Sequence, residues 1–439
     1  MLLISLAMIV KNEEATLAHC LESVKPLADE MVIVDTGSTD KTIEIAKGFG
    51  AKVYHFDWCD DFSAARNESL KHCTGDWVLI LDADEAIDPL DYEKITNACI
   101  NPFADAYNLV SRNYMPSSNS TSLDAGTVVN TADYSEGKGF SFFADNPCLR
   151  LARVFDGLSF SGRIHESIGP SILAKGKALE RLDAVIHHYG KLFSDRVESK
   201  IQYYFELARQ DAEKKPTDEW ALFNLTQQAL VAGRWETALG AAQSAMHLHT
   251  TVNTFVLYGA GLALQELGRH EEATNYFGLL LNHDPEHAMA TLRKGYSAEI
   301  LGDVESGRKL IARAIELSPG YIPGYGYLAE LEIRATNLDR AREIVSYAIG
   351  LAPDEPYLYS LLIKIELTRN NHQQASKDAM SGMQRIPNGG KGLWHRLAFV
   401  FLLQSGELES ARSILNSGLE AFPDDPELIR LKGFGPQRP

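Results

Sequence analysis

The sequence predicts an α/β domain on a mostly parallel, Rossmann-like sheet, followed by an all-α helical solenoid. Three observations predict this. Residues 1–110 alternate short apolar runs with helical patterns, the rhythm of parallel strands joined by crossover helices. The apolar run Trp77-Val78-Leu79-Ile80-Leu81 breaks abruptly into Asp82-Ala83-Asp84-Glu85. Such a run reads as a buried strand, with carboxylates at the end where ligands bind in open α/β sheets. From about Trp220 onward, landmarks recur at a nearly constant spacing.

Taken in order, Leu2–Val10 reads as the first strand and Glu14–Val24 as a helix. Met31–Val34 is the second strand, followed by the polar turn Thr36-Gly37-Ser38-Thr39-Asp40 and a helix over Lys41–Phe49. Lys52–His55 is a short strand, Phe62–His72 a helix, and the strand leading to Asp82 follows. Further on, Gly157–Ile164 has the look of a strand. Ser117–Asp145 is rich in Ser, Thr, Asn and Gly with little helical period, so a loop or long hairpin inserted into the first domain is expected there. Lys191–Lys215 reads as a helical bridge.

The later half carries small residues at 238, 273, 307, 341, 375 and 411, which are 35, 34, 34, 34 and 36 apart. Each follows a short polar turn, and Pro285, Pro319, Pro353, Pro387 and Pro423 close most units. The small residue lets two helices approach, and the proline stops the second one. This period resembles the tetratricopeptide repeat. The expected domains are 1–195 (insertion about 117–145), a helical linker over 196–217, and about six repeats over 218–439.

With 439 residues, each domain can bury its own core. A net charge of −17 argues against nucleic acid as the main partner and against docking on anionic lipid. MLLISLAMIV lacks a basic flank and a cleavage site, so it reads as a strand and not as a signal sequence. No segment has about 18 uninterrupted apolar residues, so no membrane span is expected. The cysteines Cys20, Cys59, Cys73, Cys99 and Cys148 show no C-x-x-C spacing, which points to reduced thiols and a cytoplasmic location.

Chemistry concentrates around Asp82. Clustered carboxylates repel one another and call for a compensating cation, and hard oxygen ligands suit Mg²⁺ or Mn²⁺. The plainer alternative is an acidic loop capping a helix near Pro89. Asp35 ends the second strand, where its carboxylate could accept a uracil N–H; Asp40 is the better helix cap. Lys11, Asn12 and Glu13 can touch base or ribose, or simply open a helix. Arg66 can pair with phosphate or with Asp82, or form a surface salt bridge. Glu166 is the candidate base for an attacking O–H or S–H, against a role orienting Arg163 or His165; Asp156 is the fallback.

The N-terminal motifs resemble those of family 2 glycosyltransferases with the GT-A fold. They are Ser5–Glu13, Val32–Asp40, Phe62-Ser63-Ala64-Ala65-Arg66-Asn67, Gly75-Asp76-Trp77, the Asp82-Ala83-Asp84 strand end, Gly162-Arg163-Ile164-His165-Glu166 and His187-His188-Tyr189-Gly190. Fusion to repeats resembles the subgroup containing the S-glycosyltransferase of the bacteriocin sublancin. The resemblance implies a nucleotide-sugar site of Lys11, Asn12, Glu13, Asp35, Ser38, Arg66, Asp82 and Asp84. It further implies a metal on Asp82, Asp84 and His188, with His187 structural and Glu166 catalytic. The expected activity is inverting transfer from a UDP-hexose to a peptide or protein recruited by the repeats, in a chain compatible with homo-oligomers. The alternatives are a lipopolysaccharide-building or other glycan-building transferase, or a non-catalytic repeat scaffold.

Overall fold

A computed structural model describes residues 3–117, 126–190, 197–248, 253–386 and 392–432. The chain divides into two compact units. The first runs to Pro285, apart from short pieces of the segment around residues 117–129 that group with the second, which starts at Glu286.

The first unit is built on strands β1 (Ile4–Val10), β2 (Glu30–Asp35), β3 (Lys52–His55), β4 (Trp77–Ile80), β5 (Glu85–Ile87) and β6 (Ala106–Met115). After a two-residue strand β7 (Val128–Val129) come β8 (Phe142–Arg153) and β9 (Leu179–His188). The main path of the sheet is β3-β2-β1-β4-β8-β6-β9-β5. The β3–β2–β1–β4 half is parallel, whereas β8 pairs antiparallel with both β4 and β6. The parallel expectation thus holds for the first half, and the remainder is mixed.

Alternation along the strands sets the two faces. Leu6 and Met8 of β1 and Trp77 and Leu79 of β4 pack with α1 (Leu17–Val24) and residues Ile95, Ala98 and Cys99 of a later helix, Tyr92–Ile100. Ala7, Val78 and Ile80 point the other way, toward Phe160, Ile168 and Ile172, with Leu70 and Cys73 against them. Burying side chains on both faces is what makes these strands continuous apolar runs.

Helix α2 spans Thr42–Gly48, α3 spans Phe62–His72, α4 spans Tyr92–Ile100 and α5 spans Gly169–Ala174. Asp61 caps α3 by accepting from the Ala64 N–H at 3.0 Å. The Ser117–Asp145 expectation resolves as a hairpin: β6 and β8 pair from Met115↔Phe142 onward, and residues 118–125 lie outside the described residues.

The Gly157–Ile164 strand does not form. Only an isolated bridge joins Ser161 to Ser167, and both Gly157 and Gly162 have positive φ. The apolar residues that suggest a strand go to different places: Phe160 to the sheet, Ile164 to helices.

Helix α6 (Val197–Lys214) covers most of the expected bridge; residues 191–196 lie outside the described residues. Helical hairpins follow within the first unit: α7 (Glu219–Val231), α8 (Trp235–Leu248), α9 (Thr254–Glu266) and α10 (His270–His283). Ala238 and Ala273, the expected close-approach positions, are fully buried.

The second unit continues in pairs through α11 (Ala288–Ile300), α12 (Val304–Leu317), α13 (Ile322–Arg334), α14 (Leu338–Leu351), α15 (Pro356–Thr368), α16 (His372–Arg385), α17 (Leu393–Gln404), α18 (Leu408–Ala421) and α19 (Pro426–Lys432). Ala341, Ala375 and Ala411 are again fully buried. The period extends to polar chemistry. Arg308 Nε donates to Glu332 at 3.0 Å, and Asn337 donates to the same carboxylate at 2.7 Å. One repeat later Arg342 and Asn371 donate to Glu366 at 3.0 and 3.1 Å. Pro319, Pro353 and Pro423 lie just past the ends of α12, α14 and α18; Pro387 lies outside the described residues.

Glu30 stitches the parallel half of the sheet together. It accepts from Lys52 of β3 at 2.7 Å, from Ser5 of β1, and from the Thr74 hydroxyl at 3.0 Å and backbone N–H. Burial alone would raise its carboxyl, but these donors outweigh burial and lower it from 4.5 to about 2. A depressed folded value stabilises the fold above the unfolded value and loses that effect as pH falls through the folded one. Glu30→Gln is therefore expected to lose about 1–3 kcal/mol at pH 7 in urea unfolding. The deficit should shrink below about pH 4.5 and vanish near pH 2.

Candidate active site

Strands β1, β2 and β4 end side by side, with Val10 opposite Asp35 and Ala7 opposite Ile80. The loops after β1 and β2 clasp each other. Asn12 adopts φ 57°, a left-handed conformation that Asn tolerates. Its N–H donates to Ser38 Oγ at 2.9 Å, and its Oδ1 accepts from the Thr39 N–H at 2.7 Å. The Glu13 N–H donates to Thr42 Oγ1 at 2.7 Å. Asp35 is 3% exposed and accepts from the Gly37 N–H at 3.1 Å and the Ser38 N–H at 3.2 Å. Lys11 is exposed on the same loop. Asp40 accepts from the Thr42 N–H at 3.0 Å, but α2 starts at Thr42 with Lys41 as its N-cap residue, so Asp40 braces the helix start from one position earlier than expected.

Beyond β4 lies a compact ionic network. Arg66, 6% exposed on α3, reaches Asp82 Oδ1 with Nη2 and Glu166 with Nε, both at 2.5 Å. Arg150 of β8 reaches Asp82 Oδ2 at 3.0 Å and Glu85 at 2.9 Å. The Asp82 N–H in turn donates to Glu85 at 2.8 Å. Burial would raise the Asp82 carboxyl, but the two guanidinium groups outweigh it and hold it well below the usual carboxylate range. Arg66 Nη1 is buried with no hydrogen-bond partner among the described residues. Arg66 is thus no surface ion pair: it ties Asp82 to Glu166, 100 residues apart from Arg66 in sequence. Glu166 accepts from Arg66, and not from Arg163 or His165, the partners that the alternative to a base role gave it.

Asp84 faces away toward β9. Its Oδ2 lies 3.4 Å from His188 Nε2. Asn113 of β6 sets the imidazole. The Asn113 amide nitrogen donates to the Ser111 and Ala144 carbonyls, so its oxygen accepts from His188 Nδ1 at 2.7 Å. With the proton on Nδ1, the neutral ring keeps a lone pair on Nε2 beside the Asp84 carboxylate, where a shared cation or a second ring proton relieves their repulsion. Burial lowers the His188 imidazole, but Asp84 outweighs this and raises it. A Cβ at Gly190 would fall 2.5 Å from Asp84 Oδ2 and 2.7 Å from His188 Nε2, so glycine keeps that approach open. His187 is fully buried, bonded through Nδ1 to Tyr114 at 2.7 Å, and burial lowers it to about 4. It lies inside the fold, turned away from the Asp84–His188 opening by its bond to Tyr114.

Among the described residues no three His, Cys, Asp or Glu side chains form a ready metal cluster. Asp84 and His188 offer an oxygen and a nitrogen to one opening, a donor pair that fits a divalent cation. Asp82 does not fit as readily, because both of its oxygens already accept from arginines.

Arg150, Asn113 and Gly190 are the participants that sequence reasoning did not single out. Gly190 lay inside the quoted His-Tyr-Gly motif. Arg150 and Asn113 gave no signal, because their roles depend on strand register.

Comparison with known proteins bears on the family. Residues 5–146 match Glycosyl transferase family 2, and residues 258–322 match the Tetratricopeptide repeat. The chain therefore carries a family 2 glycosyltransferase domain joined to tetratricopeptide repeats. A TPR repeat-containing protein of Synechococcus elongatus is 36% identical over 193 residues, 43% of this chain and 42% of that one. A glycosyltransferase of Rickettsia typhi is 44% identical over 84 residues, 19% of this chain and 28% of that one. The SPbeta prophage-derived glycosyltransferase SunS of Bacillus subtilis is 37% identical over 83 residues, 18% of this chain and 20% of that one. The chain spans less than half the length of each of these relatives. A tetratricopeptide repeat protein of Parabacteroides merdae aligns at 22% identity and TM-score 0.40, over 54% of this chain and 92% of that one. No described helix is long and apolar enough to cross a membrane.

Arg150→Met would leave the buried Glu85 carboxylate without its guanidinium and the half-buried Asp82 with Arg66 alone. Breaking one side of a buried ion pair is expected to lower stability by about 3–5 kcal/mol in urea unfolding. Adding Glu85→Gln to that variant should recover part of the loss.

Proposed function

We propose that this protein is a glycosyltransferase that moves a sugar from a UDP-hexose, with inversion, to a peptide or protein acceptor. The observation that carries the reading is the Arg66 bridge, which joins Glu166 to the aspartate at the end of β4. Base, ribose and diphosphate would lie along the adjacent ends of β1, β2 and β4, the ligand-binding edge of an open α/β sheet. Asp35 would accept from the uracil N–H, its carboxylate already aimed by the Gly37 and Ser38 amides. Lys11, Asn12, Glu13 and Ser38 would line the base and ribose. The unpartnered Nη1 of Arg66 would donate to a diphosphate oxygen.

Asp84 and His188 would hold Mg²⁺ or Mn²⁺, which when bound neutralises charge on the leaving diphosphate. Asp82 would serve the same end indirectly, by fixing the two arginines. Glu166 would take the proton from the acceptor O–H or S–H as that atom attacks the anomeric carbon. The bond from that carbon to the β-phosphate oxygen breaks, and UDP leaves with the electron pair. The repeats would recruit the acceptor, since such arrays present extended binding surfaces. Five free cysteines suit a reducing, cytoplasmic setting.

Glu166→Gln keeps the shape and the bond to Arg66 but cannot accept a proton. It is expected to bind UDP as wild type in calorimetry with Mn²⁺ and to lose roughly 10²–10⁴-fold in transfer rate. Transfer at the wild-type rate would remove Glu166 from the mechanism. Wild-type protein should bind UDP more tightly than GDP, and Asp35→Asn should narrow that gap. Tighter binding of GDP would reverse the base assignment.

A further inference from the structure

We propose that α7, the first helix of the repeat array, positions the catalytic base. This rests on the reading of Glu166 as that base. The turn Gly162–Glu166 is closed at its base by the Ser161–Ser167 bridge alone, and each residue before Glu166 meets helix α6 or α7. Gly162 has φ 100°, and a Cβ there would fall 2.9 Å from Trp220 Nε1 of α7. Arg163 donates to Gln210 Oε1 of α6 at 3.1 Å and to the Asp60 carbonyl at 2.7 Å. The Ile164 side chain packs among Leu207 and Ala208 of α6 and Leu225 of α7. The Ile164 carbonyl accepts from Asn224 Nδ2 at 3.1 Å. The His165 ring shares a hydrogen bond with the Gln228 amide at 2.6 Å.

His165 is the reason such tethers matter. It holds φ 49°, a left-handed conformation unfavourable to a residue with a Cβ and ring, by roughly 1–2 kcal/mol. Strained backbone of this kind persists only where its surroundings over-determine it. The next residue is Glu166, whose carboxylate must meet Arg66 at 2.5 Å. Asn224 and Gln228, both buried and one helical turn apart on α7, grip the two residues immediately before it. They are positioning residues: neither needs to touch substrate. Loosening them should displace the base by a fraction of an ångström to an ångström, a shift that can lower a rate by about 10²-fold.

The test uses the full chain with UDP-glucose and Mn²⁺ as probes, reading UDP release and UDP binding. Asn224→Leu and Gln228→Ala should each lower kcat roughly 10–100-fold. Donor KM and UDP affinity should stay within about twofold, and the acid limb of the kcat–pH profile should move, because the base has a new environment. Gln228→Glu keeps a partner for His165 and should retain close to wild-type kcat. Should Asn224→Leu fail to melt cooperatively, Gln228→Ala carries the test. Amide exchange across residues 161–168 should also rise in both weakened variants, whatever donor the enzyme prefers. Wild-type kcat, pH profile and exchange in Gln228→Ala would overturn the inference. Glu166→Gln, assayed beside them, separates the two readings. If it is inactive while Asn224→Leu and Gln228→Ala are fully active, the base stands and the positioning role falls. If it is fully active, both fall.

Discussion

Asp82 stands half-buried at the end of β4 with both carboxylate oxygens taken by arginines, and the arrangement around that strand end follows from this pairing. An uncompensated charge in this position would be strongly unfavourable. Arg66 comes from α3 and Arg150 from β8, so satisfying Asp82 fixes a helix and an antiparallel strand against the end of β4. Each arginine then recruits a second carboxylate, Glu166 and Glu85 respectively. Three carboxylates against two guanidiniums leave one negative charge in excess. A cationic partner or a proton is favoured nearby, and Asp84 with His188 lies on that side of the strand end. The same network explains how β4 can end in adjacent acidic residues without losing its packing. The acids point to different partners: Asp82 and Glu85 to arginines, Asp84 to His188.

The loops after β1 and β2 follow a related logic. A carboxylate has about four lone-pair sites. Asp35 uses some of them on the Gly37 and Ser38 amides, which fixes its plane while leaving acceptor capacity for a ligand. Asn12, in a left-handed conformation, reaches across to the same turn from the end of β1. Two loops that would otherwise move independently become one rigid lip, built mostly from backbone N–H groups that had no strand partner.

Much of this was legible in the sequence, because the signals were local. The break from Leu81 to Asp82 marks a strand end through composition alone, and the small residue and proline of each repeat mark close helix contact and helix termination. The β3 and α3 spans follow directly from pattern. What escaped is whatever depends on register or on distant partners. Arg150 looks like one polar residue in an alternating strand until β8 is set beside β4. Asn113 acquires meaning only when β6 is aligned with β9, which places it opposite His188. The failed Gly157–Ile164 strand is instructive for the same reason. Leu158, Phe160 and Ile164 alternate like strand residues, but Gly162 turns the chain between them. Ile164 is then drawn into the α6 and α7 core and Phe160 into the sheet core.

That divergence bears on what the repeats are for. A period near 34 suggests an autonomous module that could be attached to any enzyme. The compact unit instead continues through α10 to Pro285, and its helices α6 and α7 supply the packing that the Ile164 turn lacks. A residue such as Asn224 therefore answers to two constraints: its place in a helical hairpin, and the carbonyl of a turn that precedes a candidate base. The buried polar groups Asn224 and Gln228 occur where a plain repeat helix would gain more from apolar packing. Buried polar groups are retained when they have a fixed partner to satisfy, and here those partners belong to the Gly162–Glu166 turn. The first hairpin thus serves the Gly162–Glu166 turn as well as its own helical packing.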